Sequence, residues 1–292
     1  MDEQASAGFR AQVERLVAEG KLTPEEGQDL LGEPEGQEAQ EKSAAEEGAA
    51  HSTASGEDTP PHLLLDVSGF ALRVVQDSGV SGPQLHASEE GRLTLEATPQ
   101  GWRVARQGGE RFYGWSNLSA ILTVPFEPHD AQVSVGGGSV SLPELRGVAH
   151  LRVGGGSVSL EGAAELQAQV GGGSLRAGDI AGPVALKVAG GSARLGNAGA
   201  LVGTVAGGSL VWEPRLLGGE HTLSVSGGSA RIGLQPGSGV NLHAQATAGS
   251  VKASFPLQKS GQYATYTYAG VLGDGGASLR IKVAGGSLVV DA

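Results

Sequence analysis

The chain has 292 residues, 50 glycines, no cysteine and a formal net charge of −11. Without cysteine it has no disulfides, no thiolate metal site and no thiol nucleophile. Residues 1–31 hold 7 acidic and 3 basic side chains, residues 32–61 hold 8 and 1, and residues 62–292 hold 16 of each sign. Because this last segment has no basic excess, its composition argues against nucleic acid or an anionic lipid surface as its partner.

Residues 1–31 have the pattern of a helical hairpin. Apolar residues recur at helical spacing between Phe9 and Val17, and Gly20 follows at the position where a helix ends. The segment Thr23–Glu26 then starts a second helix, with threonine as the N-cap, proline at the first helical position and glutamate completing a capping box. We therefore predict two short helices.

The helical hairpin presents one apolar face, which we predict to bind a partner. Its members are Phe9, Val13, Leu16, Val17, Leu22 and Leu30. A unit of this size rarely buries such a face by itself. The face can dock on another protein, on a second copy of the chain, or on the rest of its own chain as an end cap. We favour the first two, because an end cap needs no flexible tether.

That tether is predicted at residues 32–61, which are rich in glycine, glutamate, alanine and serine and have no periodicity. This composition is typical of a disordered, solvated spacer. Short strands follow from His62 onward, and we interpret them as irregular opening coils of the repeat described next. The clearest are Leu63–Val67, Phe70–Val75, Gly91–Ala97 and Leu118–Val124. Four aromatic residues are predicted to cap the end of the stack, with a carbohydrate-binding platform as the alternative: Trp102, Phe112, Tyr113 and Trp115.

Residues 131–292 contain eight copies of one sequence motif. In this motif, apolar residues alternate with polar ones on both sides of a glycine-rich corner that ends in serine. The anchoring serines are Ser139, Ser157, Ser174, Ser192, Ser209, Ser229, Ser250 and Ser287. Most intervals are about 17–21 residues, a period typical of stacked coils. The alternation predicts half-buried strands, and glycine at the corner predicts a sharp turn with no room for a Cβ atom. The fold class is therefore all-β: a parallel β-solenoid at residues 62–292.

The last interval, from Ser250 to Ser287, is 37 residues long and close to two periods. We therefore expect an irregular coil between these serines, carrying Tyr263, Tyr266 and Tyr268. Small side chains predominate in the repeat, which predicts an interior too narrow for a ligand cavity.

The residues give little sign of catalysis or of a bound cofactor or metal. The seven histidines share no metal-ligand spacing, and we predict that His150 faces solvent from a strand. The glycine clusters lack the lysine and helix of a phosphate-binding loop. The corners hold serine where a calcium-binding β-roll holds aspartate, and no pair of acids recurs at coil spacing. We expect no catalytic, cofactor or metal residues.

The N-terminus is acidic and lacks the apolar core of a signal peptide, and no apolar run approaches 18 residues. We therefore expect a cytoplasmic protein without membrane insertion. A peripheral position at the inner face of the membrane is compatible with this, provided that another protein recruits it.

The segment Val124-Pro125, the Gly-Gly-Ser corners and the closing stretch 270–290 resemble the bacterial adhesin-head-like β-solenoid family (GIN type, auto-transporter adhesin) over residues 62–292. The corners hold Gly-Ser where that family usually has Gly-Asp. The segment Phe9–Leu31 is similar to the SHOCT-like helical module of YvlB- and LiaX-type proteins. Those proteins combine the two parts in this order, and the resemblance implies a non-enzymatic role in envelope-stress sensing or signalling.

The sequence thus favours a non-enzymatic scaffold or interaction protein whose helical hairpin docks onto another protein or a second copy. One alternative is a self-assembling filament resembling the bactofilin cytoskeleton, with solenoids stacked end to end. A polysaccharide-acting β-helix enzyme is a distant third interpretation.

Overall fold

The computed structural model describes residues 2–31, 52–53, 58–107 and 118–292. Most of the predicted linker and the aromatic residues Phe112, Tyr113 and Trp115 lie outside this part of the chain. The helices are α1 (Asp2–Ala18) and α2 (Pro24–Leu31). The first strands are β1 (Ser52–Thr53), β2 (Leu63–Gln76), β3 (Gln84–Ala87), β4 (Leu93–Thr98), β5 (Gly101–Arg106), β6 (Ser119–Val124), β7 (Ala131–Leu142), β8 (Val148–Val153), β9 (Ser157–Ala163), β10 (Glu165–Val170) and β11 (Ser174–Val188).

The remaining strands are β12 (Ser192–Leu195), β13 (Ala198–Val205), β14 (Ser209–Trp212), β15 (Glu220–Ser226), β16 (Ser229–Gly233), β17 (Val240–Thr247), β18 (Ser250–Ala253), β19 (Gln258–Gln262), β20 (Thr265–Leu272), β21 (Ala277–Ala284) and β22 (Ser287–Asp291). Strands therefore dominate the described residues, and the predicted all-β class is confirmed. We call residues 58–107 and 118–292 the β-domain.

Most strands of the β-domain belong to two parallel ladders, which successive passes of the chain extend together. Ladder A contains the strand before each glycine corner, and ladder B contains the strand after it. In ladder A, Val133 pairs with Leu151, and Leu151 pairs with Ala168. In ladder B, Ser157 pairs with its equivalent Ser174. We call each segment that adds one strand to both ladders a coil.

The core lies between the two ladders, where every second residue of each strand points inward. In strand β11, Val184, Leu186 and Val188 are buried, whereas Ala185 and Lys187 are exposed. The predicted solvent-facing position of His150 is confirmed, because this residue is exposed between buried neighbours. The inward columns hold mostly valine, leucine and alanine, as the repeat predicts.

Glycine is required at the corners because the coils approach each other through their backbones. A Cβ atom on Gly191 would collide with the carbonyl oxygen of Gly173, the equivalent residue of the previous coil. The same carbonyl accepts a hydrogen bond of 3.0 Å from the backbone N–H of Ser192. The corner thus brings donor and acceptor together only when the side chain is absent.

The order of the coils in space differs from their order in sequence. Strand β21 pairs in parallel with β15 on one edge and with β17 on the other, so the C-terminal coil lies between two earlier coils. Ser287 accordingly pairs with both Ser229 and Ser250. The expectation of a coil between Ser250 and Ser287 is wrong, because the intervening residues contain the antiparallel β19–β20 hairpin. Insertion gives the C-terminal strands a hydrogen-bonded neighbour on both edges.

Antiparallel strands cover both ends of ladder A. At one end β20 pairs with β17 and β19 pairs with β20, and β19 is exposed, polar and contains Lys259. At the other end β5 lies beside β2, and β4 pairs with β5 antiparallel. Trp102 of β5 is buried against this end, in agreement with the predicted cap. Charged, short and polar outer strands discourage further strand addition.

The first coil is the bent strand β2, which pairs with β7 in both ladders and bends at Gly69. The predicted strands 63–67 and 70–75 are its two arms. The rest of the opening segment differs from the expected irregular coils: β4 forms a hairpin with β5, and β3 pairs antiparallel with β6. Pairing with an existing edge satisfies these backbone groups without completing another coil.

One inward column carries a histidine. His221 stands beside Leu201 and Leu279 and is 1% exposed. Its Nδ1 accepts a hydrogen bond of 3.2 Å from the Leu201 N–H, and its Nε2–H donates to the Gly218 carbonyl at 3.3 Å. Burial lowers the pKa of His221, although the hydrogen bond to Gly218 acts in the opposite direction. The ring is therefore neutral in the folded protein at neutral pH.

The inward register can be tested with the adjacent residues Val188 and Lys187. Replacing buried Val188 with aspartate should place an unpaired carboxylate in the core and cost several kcal/mol. We expect Val188→Asp to lower the melting temperature by about 10 °C or more, and Lys187→Asp to change it by about 1 °C. Equal melting temperatures for the two variants would refute the register.

The neutral state of His221 predicts a loss of stability in mild acid. Because its folded pKa lies below the unfolded value of about 6.5, the unfolded chain binds the proton first and stability falls as pH drops below this value. In thermal melts between pH 7.5 and about 5, His221→Leu should show a weaker pH dependence than the wild-type protein. The matched variant of an exposed histidine, His150→Leu, should keep the wild-type dependence, and a parallel effect of both variants would contradict the assignment.

Candidate functional site

The apolar face of the helical hairpin packs against the β-domain of the same chain. Its contacts there are Val75 of β2 and Ile121 of β6. All six residues predicted to bind a partner are in this cluster: Phe9, Val13, Leu16 and Leu22 are buried, and Val17 and Leu30 are partly buried. The structure thus brings the predicted face together on one surface, which in this state is covered by the chain itself.

The docking surface lies on the outside of ladder B. Ala120, Leu122 and Val74 face the core between the ladders, so their neighbours Ile121 and Val75 face outward. In the next coils, the outward residues in register with Ile121 are the polar Ser141, Ser159 and Arg176. Further along the ladder the same row contains the valines Val211 and Val289. Ile121 and Val75 are the outward apolar residues beside the first strands of the ladder, and the helical hairpin covers them.

The predicted local structure of the helical hairpin is confirmed. The Thr23 hydroxyl accepts a hydrogen bond from the Glu26 N–H at 3.3 Å, and the Glu26 carboxylate accepts one from the Thr23 N–H at 2.8 Å. Gly20 adopts a left-handed φ of 72° after α1, as expected of a helix C-terminus. Gly27 has no side chain where Val17 of α1 lies close to it, so the two helices can approach.

Ion pairs surround the apolar contact. The Lys21 ammonium lies 2.8 Å from Asp77 and 3.0 Å from Glu19, and Asp77 is 7% exposed. On α2, Glu26 lies 2.9 Å from Arg73 of the β-domain. These pairs are partly exposed to solvent, so they orient the helical hairpin more than they stabilise it.

The ion pairs displace the pKa values of their members. The hydrogen bond to Asp77, and next that to Glu19, raises the pKa of Lys21 above its usual 10.5. The same hydrogen bond from Lys21 is the largest cause that lowers the pKa of Asp77 below 3.8, followed by the Gly79 N–H. The lowered pKa of Asp77 stabilises the folded state above pH 3.8, and this stabilisation is lost as pH falls through the folded pKa. The raised pKa of Lys21 stabilises the folded state below pH 10.5, and this stabilisation is lost as pH rises through the folded pKa. Both Lys21 and Asp77 are therefore charged at neutral pH, and their ion pair is intact there.

A shallow groove runs along ladder B beside α2. Its walls include Glu26 and Asp29 of the helix, and its floor is the outward face of the coils, with serine and arginine side chains such as Ser159, Arg176 and Arg194. The acidic helix thus borders a basic and hydroxyl-bearing strip. At the same end, the Ser119 hydroxyl donates a hydrogen bond of 3.1 Å to the carbonyl of Leu30.

A second cluster lies where the chain enters the first two coils. His62 directly precedes β2, and His129 and Asp130 directly precede β7, so strand pairing brings them together. Their ligand atoms lie within 4.8 Å of one another. The two histidines are 67 positions apart in the sequence, so linear spacing does not predict this group. The signal that could have found it is position: His62 and Asp130 both come immediately before a strand of ladder A.

The Asp130 carboxylate is ionised at neutral pH. Burial would raise its pKa, but the hydrogen bond of 2.7 Å from the Val148 N–H and the interactions with His129 and His62 outweigh burial and lower the pKa below 3.8. A charged carboxylate with two imidazoles is a donor set that divalent metals can use.

Neither α1 nor α2 combines the length and the apolar character needed to cross a bilayer.

No protein-family model matches the sequence, and no curated protein matches it. Three solved structures align with most of the chain. A candidate adhesin from Bacteroides fragilis NCTC 9343 is 12% identical, with a TM-score of 0.49, and the alignment covers 80% of this chain and 92% of that one. A candidate adhesin from Parabacteroides distasonis ATCC 8503 is 9% identical over 83% and 95% of the chains, with a TM-score of 0.43. A candidate cell adhesion protein from Clostridium sporogenes ATCC 15579 is 11% identical over 82% and 97%, with a TM-score of 0.24. Each TM-score is below 0.5, so the function proposed next rests on this chain's own residues.

Proposed function

We propose that this chain is a non-enzymatic interaction protein, in which a parallel β-solenoid is the scaffold and the helical hairpin is a docking module held against it. The observation that carries the proposal is that, among the described residues, the hairpin face packs on outward side chains of ladder B and not on its core. Val75 and Ile121 complete that contact, but the core between the ladders does not include the hairpin. The β-domain keeps its own core when the hairpin leaves.

Release of the helical hairpin is the step that makes it available to a partner. The predicted linker ties it to its docking surface, and a tether of this length gives an effective concentration of about 1 mM. A partner must therefore bind the hairpin face more tightly than Val75 and Ile121 do. The intramolecular contact therefore sets the minimum affinity that a partner needs in order to displace the docking surface.

Another protein is the preferred partner in this proposal. At ordinary cellular concentrations a second copy of the chain competes poorly with an attached surface at about 1 mM. Self-association becomes favourable only where copies are concentrated. The proposal places the protein in the cytoplasm, recruited to the inner face of the membrane in envelope-stress signalling; this setting is supported only by the order of helical hairpin and repeat.

The filament alternative is less favoured by the ends of ladder A. End-to-end stacking needs open parallel edges, whereas antiparallel strands lie at both ends, and the outer strand β19 is polar and exposed. A polysaccharide-acting enzyme needs clustered acids on one face, and the outward face of ladder B holds mainly serine and arginine.

The releasable contact can be tested by hydrogen exchange on the full-length monomer. Val75→Ser removes apolar contact from the docking surface and costs about 1.5 kcal/mol. We expect the protection of amides in α1 and α2 to fall by roughly tenfold, while the central strands of both ladders keep their protection. Even in the wild-type protein, the helices should exchange far faster than those strands.

The matched control is Val289→Ser, the same change at an outward position of ladder B in the C-terminal coil. It should leave exchange in the helices unchanged. If the helices of the wild-type monomer are as protected as the central strands, the hairpin is a permanent cap and the docking function is refuted.

A further inference from the structure

The cluster of His62, His129 and Asp130 has the donor geometry of a metal site. Nδ1 of His62 lies 3.3 Å from Oδ2 of Asp130, and Nδ1 of His129 lies 3.0 Å from Oδ1 of the same carboxylate. Zinc bonds of about 2.0 Å in tetrahedral geometry place ligand atoms about 3.3 Å apart. Both nitrogen–oxygen separations are near this value.

One nitrogen of the cluster lacks a hydrogen-bond partner. Nδ1 of His62 is buried and within ion-pair distance of Asp130, but the geometry is not that of a hydrogen bond. A buried polar atom without such a partner is costly, and a metal ion at this position would use its lone pair.

The surroundings hold the carboxylate and leave space beside it. The Val148 N–H donates to Oδ1 of Asp130 at 2.7 Å, which fixes the orientation of the carboxylate as outer hydrogen bonds do in metal sites. A Cβ atom on Gly147 would collide with this oxygen and lie 2.6 Å from Nδ1 of His129. Glycine at this position therefore keeps two of the three donors accessible.

Access from solvent is also present. The side chain of His129 is 53% exposed, so its ring can rotate toward an ion without disturbing the core. The three donor atoms lie within 4.8 Å of one another. Closing the widest separation to tetrahedral spacing needs a movement of up to about 1.5 Å.

We propose that His62, His129 and Asp130 bind one Zn²⁺ ion, with water completing its coordination. Two imidazoles and a carboxylate suit a first-row transition metal, whereas Ca²⁺ and Mg²⁺ prefer oxygen ligands. The ion joins the residue before β2 to the residues before β7, so it clamps the first coil to the second. Linear spacing gave no reason to expect this site, because strand pairing creates it.

Thermal melts and calorimetry on the tag-free, chelator-treated full-length protein test the site. We expect Zn²⁺ to bind at about one ion per chain and to raise the melting temperature by several degrees. Mg²⁺ and Ca²⁺ should give no such shift. Tetrahedral Co²⁺ absorption should appear on titration with cobalt and disappear when zinc is added.

His129→Gln and His62→Gln should each weaken zinc binding by at least tenfold. His129→Gln changes a half-exposed side chain, so its metal-free melting temperature should match the wild-type value and exclude misfolding. The control is His150→Gln, at an exposed strand histidine, which should bind zinc like the wild type. Failure of the wild type to bind zinc saturably, or undiminished binding in both His62→Gln and His129→Gln, would overturn the proposal.

Discussion

The hydrogen bonds between equivalent residues of neighbouring coils are the interaction on which the rest of the structure depends. Each coil buries too few small side chains to be stable by itself, so its backbone groups must be satisfied by the coils above and below. The Ser192 N–H reaches the Gly173 carbonyl because neither corner glycine has a side chain. Once the corners are in register, the inward columns of both ladders follow from strand alternation.

The same constraint explains why some features can be predicted from sequence and others cannot. The inward and outward positions of Val188 and Lys187 are local properties of the repeat, and so is the capping box at Thr23. The order in which coils stack is not local. Since every coil has nearly the same sequence motif, the strand that begins at Ser287 fits equally well beside those of Ser229 and Ser250. No residue pattern therefore indicates that the C-terminal coil is inserted between two earlier coils.

The two candidate sites differ in the same way. The apolar face of the helical hairpin is visible in sequence because helical periodicity places its residues on one side. Its docking surface is harder to find, since Ile121 and Val75 each stand next to core residues, in the apolar runs Ala120–Leu122 and Val74-Val75, and resemble core themselves. The cluster of His62, His129 and Asp130 requires knowledge of which strands pair, and linear spacing contains no such information.

The inserted position of the C-terminal coil also determines how the chain can be assembled during synthesis. Coils up to Gly233 can stack one after another as they leave the ribosome, since each pairs with its predecessor. The next coil, at residues 240–253, has its parallel neighbour in residues 277–291, which are made after it. Residues 240–253 therefore wait for residues 277–291, and this part of the stack closes only after those residues have been made. A chain truncated before Ala277 loses more than its last coil, because the preceding coil then has no parallel strand beside it.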